Sequence, residues 1–125
     1  MAVATNRRRR VNVTWGQATT AQVNAGKTIL DNIGDGPICI VDGWLRAIGG
    51  AAATCTYVDI RDIGGTTNYL RGAQASLTQN TVLRMTGVAD GLTQVTPQKG
   101  LKIASTTNNL ATATHIDYMV KWVRA

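Results

Sequence analysis

Glutamate and phenylalanine are absent from this chain, and histidine occurs once and serine, proline and cysteine twice each in 125 residues. Each gap removes a class of protein. All seven acidic residues are Asp, so the Glu-Lys ladders and Ala-Leu faces at helical spacing that build helical bundles are missing. Abundant Thr and 13 Gly point instead to an all-β chain. With His115 as the one histidine, a metal site would depend on carboxylates, and Asp117 is its one neighbour on the same run. The two read as a surface or interface pair, not as a metal or catalytic site. Ser76 and Ser105 stand in no nucleophile-elbow pattern, which rejects a Ser-His-Asp mechanism. No apolar run approaches the roughly 18 to 20 residues that cross a bilayer. Nor does an apolar stretch of about 7 to 15 residues follow the basic N-terminus, as a secretory signal requires. The expectation is one soluble domain without enzymatic, metal or cofactor chemistry.

What is present is charge in one place. The formal net charge is +6, yet without Arg7, Arg8, Arg9 and Arg10 there remain 9 basic and 7 acidic residues, a body of +2. A nearly balanced body does not argue for a nucleic-acid-binding face. Four adjacent arginines repel one another and have no apolar partner in the run, so residues 1–10 read as an extended arm. Such an arm docks on an acidic surface or on nucleic acid. It leads into Val11-Asn12-Val13-Thr14-Trp15, which can pair as a short strand or anchor its indole. Residues 16–25 are small and polar and read as a linker. The expected organisation is an arm and linker over 1–25 and a β-sandwich over 26–125.

Within that body, the runs Ile38 to Ala47 and Thr54 to Ile63 alternate as strands around Gly49-Gly50 and predict a central hairpin. Its register sums to about 99, which sets Trp44 opposite Cys55 and Cys39 opposite Ile60 and leaves the cysteines as free thiols. Further strands are expected at 27–30, 66–70, 81–86, 92–96 and 100–105, with turns at 31–37, 64–65 and 90–91 and a loop over 71–79. The last strand is the clearest: Ile116, Tyr118, Val120 and Trp122 share one face and His115, Asp117, Met119 and Lys121 the other. About eight strands in this length predict a jelly-roll-like antiparallel sandwich of two sheets. An immunoglobulin-like sandwich is disfavoured because the two cysteines lie too close in sequence for its inter-sheet pair.

Two letter patterns are false matches. Ala25-Gly26-Lys27-Thr28 imitates the end of a phosphate loop, but Ala21 stands where its first Gly belongs and no long helix pattern follows. Asn12-Val13-Thr14 is a glycosylation sequon with nothing to direct the chain to a secretory pathway. Trp15, Trp44 and Trp122 do not alternate with basic residues as a base-stacking platform would, and read as core or interface anchors.

The layout of a basic arm, Val41-Asp42-Gly43-Trp44-Leu45, Tyr57-Val58-Asp59-Ile60-Arg61, Asn80-Thr81-Val82-Leu83 and Ile116-Asp117-Tyr118-Met119-Val120 resembles the small jelly-roll cement, or capsid decoration, proteins of tailed bacteriophages. The resemblance spans about residues 26 to 125 and rests on strand texture. It implies a homo-oligomer, a trimer or a dimer, made in the host cytoplasm and bound to the outside of the virion, where it bridges major capsid proteins without catalysing a reaction. It implies no membrane and no cofactor. From the sequence itself, Arg7, Arg8, Arg9 and Arg10 with Val11, Val13 and Trp15 are the candidate capsid-contacting residues, by charge complementarity and apolar anchoring. Nucleic acid is expected as a partner through Arg7 to Arg10 alone. The competing expectations are a shell-forming coat subunit whose arm neutralises genome phosphates, and a carbohydrate- or ligand-binding sandwich.

Overall fold

The computed structural model describes residues 11–31, 38–63, 67–87, 93–95 and 100–124. Its strands are β1 (Asn12–Thr19), β2 (Lys27–Leu30), β3 (Ile38–Ile48), β4 (Tyr57–Asp62), β5 (Asn68–Ala73), β6 (Val82–Arg84), β7 (Thr86–Gly87), β8 (Thr93–Val95), β9 (Leu101–Thr106) and β10 (His115–Arg124), with one short helix α1 (Thr20–Ala25). Every strand pair is antiparallel. The first sheet runs β1-β10-β3-β6, with β8 on the far end of β3, and the second runs β2-β9-β4-β5-β7. Among these strands the chain changes sheet at every connection except β4 to β5, which is jelly-roll winding. No described helix is long and apolar enough to cross a membrane.

Period-two burial builds the core between the sheets. Leu45 and Ala47 of β3, Val58 and Ile60 of β4, Leu101 and Ile103 of β9, and Ile116 and Val120 of β10 are buried there. Each large aliphatic side chain contributes roughly 1.5 to 3 kcal/mol relative to exposure. Gly43 lets the layers close, because a Cβ there would lie 2.7 Å from Met85 Cε and 2.8 Å from Leu70 Cδ1.

Four expectations are corrected. The hairpin does not form: β3 pairs with β10 on one side and with β6 and β8 on the other, while β4 lies in the opposite sheet between β5 and β9. Gly49 and Gly50, both at positive φ, turn the chain out of the first sheet. The bonds from Ala52 N–H to the Leu77 carbonyl and from Ala53 N–H to the Ala111 carbonyl then carry it across. The expected strand over 81–86 is split at Met85, whose buried side chain marks the crossing from β6 in one sheet to β7 in the other. The loop expected over 71–79 begins as the end of β5 and continues into a 3-10 turn over Gln74–Ser76.

The fourth correction moves the start of the body. Residues 16–25, expected as linker, complete β1 and form α1. Thr19 caps the helix by accepting from the Gln22 N–H while the Gln22 side chain accepts from the Thr19 N–H, and Gly26 ends it at φ +85. Val23 is buried, and Asn24 clamps the helix to residue 110 by accepting from the Leu110 N–H and donating to its carbonyl. Val13 and Trp15 are accordingly strand residues, held to β10 by a register unbroken from Asn12 to Thr19. Arg7 to Arg10 and the expected turns at 64–65 and 90–91 lie outside the described residues, as does all but Asp31 of the turn over 31–37. Cys39 and Cys55 are buried free thiols, and burial, reinforced by the Asp59 charge, pushes the Cys55 thiol up.

Candidate functional site

Alternation along β1 decides which side chains leave the body. Asn12, Thr14, Gly16 and Ala18 face the core side, opposite Trp122, Val120, Tyr118 and Ile116, and the odd-numbered residues face outward. Register carries that outward set across the sheet. Trp15 lies beside Met119, which lies beside Trp44, and Gln17 lies beside Asp117, which lies beside Arg46. Trp15 is 75% exposed, while Met119 between the two indoles is buried despite its outward position. A cleft of about 270 Å³ opens here, lined mainly by Trp15, Gln17, Trp44, Arg46, Asp117 and Met119. Gly16 lends backbone to its floor, and on the core side a Cβ there would approach the Tyr118 hydroxyl to 2.9 Å.

Four of the charges on this face form two ion pairs, and Lys121, on the same side of β10 between Val13 and Asp42, adds a further positive charge. Arg46 donates from Nη2 (2.8 Å) and Nε (3.2 Å) to one oxygen of Asp117, and its guanidinium lies 5.9 Å from the Trp44 ring. The other oxygen, Asp117 Oδ1, is buried without a hydrogen-bond partner, with His115 Nε2 3.4 Å away. Arg84 Nε donates to Asp42 Oδ1 at 2.9 Å. Burial raises the Asp42 carboxyl, but the Arg84 and Gly43 hydrogen bonds and the Arg84 and Lys121 charges outweigh it and hold the group below its ordinary value. The outcome is a surface of two indoles and a methionine framed by two ion pairs and by Lys121. Such a surface recognises by shape and apolar contact.

Of the seven candidate residues, Arg7 to Arg10 lie outside the described residues. Val11, Val13 and Trp15 follow one another along the outer rim of the first sheet at 57%, 49% and 75% exposure. They join Trp44, Met119 and the Arg46–Asp117 pair in one face, a grouping the sequence reading did not make. The one available signal was the alternation of β10, which puts Asp117 and Met119 on its outward side. Trp122, by contrast, packs against the core and donates from Nε1 to Thr14 Oγ1 at 3.2 Å. His115 and Asp117 form the expected pair, with Arg46 as an unforeseen third member. Among the described residues no three His, Cys, Asp or Glu side chains gather as metal ligands would.

The outer face of the second sheet is a closed polar network. Asp59 is fully buried under it and accepts from Arg71 Nε (2.9 Å), Arg71 Nη2 (3.1 Å) and the Thr106 hydroxyl. Arg71 stacks on the Tyr57 ring at 3.9 Å, and Arg61 Nε donates to Asn68 Oδ1 at 3.0 Å. These groups satisfy one another. No family model, curated protein or solved structure matches the chain.

Proposed function

We propose that this protein is a non-enzymatic cement protein of a phage virion, which binds the outside of the capsid through the outer face of its first sheet. The observation that carries the reading is the tryptophan face, in which Trp15 stands exposed beside Trp44 and Met119 while Arg46, Asp117, Asp42 and Arg84 neutralise one another. A surface so arranged docks on another protein by apolar fit without stranding a charge at the contact. The resemblance to decoration proteins supports the same partner, the major capsid protein, and a jelly-roll body suits a rigid bridge over a capsomer seam. The run Arg7 to Arg10 precedes the strand that carries Trp15, so an arm there adds charge-complementary contact beside the apolar anchor.

Co-sedimentation with cognate empty expanded heads, and separately with duplex DNA, tests the proposal. Full-length protein is expected to bind heads saturably and to leave DNA in the supernatant, and removal of residues 1–10 is expected to weaken head binding with the body still folded. Salt-sensitive DNA binding without affinity for heads would favour a genome-facing coat subunit instead. The cleft between two indoles favours one alternative, a carbohydrate-binding module, because flat aromatic faces stack on sugar rings. Glycan-array binding that survives removal of residues 1–10, with no affinity for heads, would select it.

A further inference from the structure

The rim of the first sheet is an unguarded edge. Among the described residues no strand pairs the far side of β1, and its eight residues include no charged residue, no proline and no register shift. Edge strands ordinarily carry one of those devices, or are short, because a bare edge templates further pairing. The other edges are short: β6, β8 and β7 have three, three and two residues, and β2 has four including Lys27.

Hydrogen bonding identifies which groups face outward along this edge. The Thr20 N–H donates to the Thr114 carbonyl, so even-numbered residues on this side of the ladder point their backbone groups at β10. Odd-numbered residues point theirs away. Lys27 Nζ agrees, bonding the Gln17 carbonyl at 2.5 Å from outside the β1–β10 ladder and closing that end. Among the described residues the open donors and acceptors are then those of Val11, Val13 and Trp15, whose midpoint is Val13.

We infer that a second copy of this chain covers the edge, its β1 pairing antiparallel with the first about a two-fold axis at Val13. In this register Val13 lies opposite itself and Val11 opposite Trp15 of the other copy. All three outward residues fall in hydrogen-bonded positions, and the exposed valines meet the exposed indoles as β-branched and aromatic cross-strand pairs. An isologous contact sets any charge on a strand near its own symmetry mate, and a strand with none escapes that repulsion. A foreign strand would need neither the neutrality nor the centred arrangement. The axis is normal to the sheet, so the two tryptophan faces lie side by side on one surface. The inference stands on the edge alone and does not require the capsid reading.

The test uses the full-length protein by itself. Sedimentation equilibrium between about 1 and 100 µM should show a species of twice 13.3 kDa. Under mild oxidation Val13→Cys should give a disulfide-linked dimer that a reductant reverses, since Cα atoms of a hydrogen-bonded antiparallel pair lie about 5.5 Å apart, within disulfide reach. Gln17→Cys should not link, because its symmetry mate would be roughly 27 Å away along the strand. Val13→Lys should weaken the dimer at least about tenfold with an unchanged far-ultraviolet spectrum. A monomer or a trimer over the whole range overturns the inference. So does a dimer that Val13→Lys leaves intact, or one that links through Gln17→Cys and not Val13→Cys.

Discussion

The two sheets present opposite solutions on their outer faces. On the second sheet a carboxylate is buried completely and every partner it needs is supplied from neighbouring strands, with Arg71 and Thr106 on Asp59 and Tyr57 beneath the guanidinium. On the first sheet the corresponding ion pair is looser. Arg46 meets one oxygen of Asp117, the other oxygen has no hydrogen bond, and the space beside them is a cleft between indoles. A face whose polar groups satisfy one another stabilises the fold. On the proposed reading, one that leaves large apolar side chains in water beside ion pairs is the face a partner covers.

Substitutions can break this contrast. Asp59→Ala leaves the Arg71 guanidinium without its buried partner and is expected to cost about 3 kcal/mol in urea unfolding. If the loss is under about 1 kcal/mol, the second face is not the structural one. Trp15→Ala is expected to reduce head binding about tenfold or more while stability stays within about 0.5 kcal/mol, since the indole rests largely in solvent. Asp117→Ala should cost only about 1 kcal/mol, because the released Arg46 is exposed enough to be hydrated. A loss equal to that of Asp59→Ala would erase the difference between the faces.

The smallest effect is one of pH. The folded Asp42 carboxyl lies below its ordinary value of 3.8. Its contribution is therefore complete above that value and disappears as pH falls through the lowered folded one. Asp42→Asn should flatten the acid limb of the stability profile slightly there and leave the curve near neutral pH parallel to that of the parent protein. A change of slope near neutrality would contradict the assignment.

Strand texture made the sandwich legible. The alternation of residues 115–124 and the short run 27–30 describe β10 and β2 directly, although β10 is buried on both faces from Ile116 to Val120. Pairing was not legible in the same way. Two strands around Gly49-Gly50 look like a hairpin locally, and only the long-range partners β10 and β9 decide that they belong to different sheets. The helix α1 was hidden by small residues, although the Thr19 and Gln22 capping box announces it. The tryptophan face could not be assembled from spacing, since Trp15, Trp44 and Met119 meet through the register of three strands distant in sequence. Burial of Asp59 was equally unreadable, because an Asp on the outward side of a strand looks solvated until Arg71 and Thr106 close over it.

The central claim is that the outer face of the first sheet is the docking face, and a paired binding measurement with cognate expanded heads tests it most directly. Full-length protein carrying Trp15→Ala with Trp44→Ala is compared with protein carrying Tyr57→Ala on the other face, both shown to be folded by their melting curves. The account predicts that the tryptophan variant loses saturable head binding and the Tyr57 variant keeps it. Retention by the tryptophan variant, or loss by the Tyr57 variant alone, would contradict it.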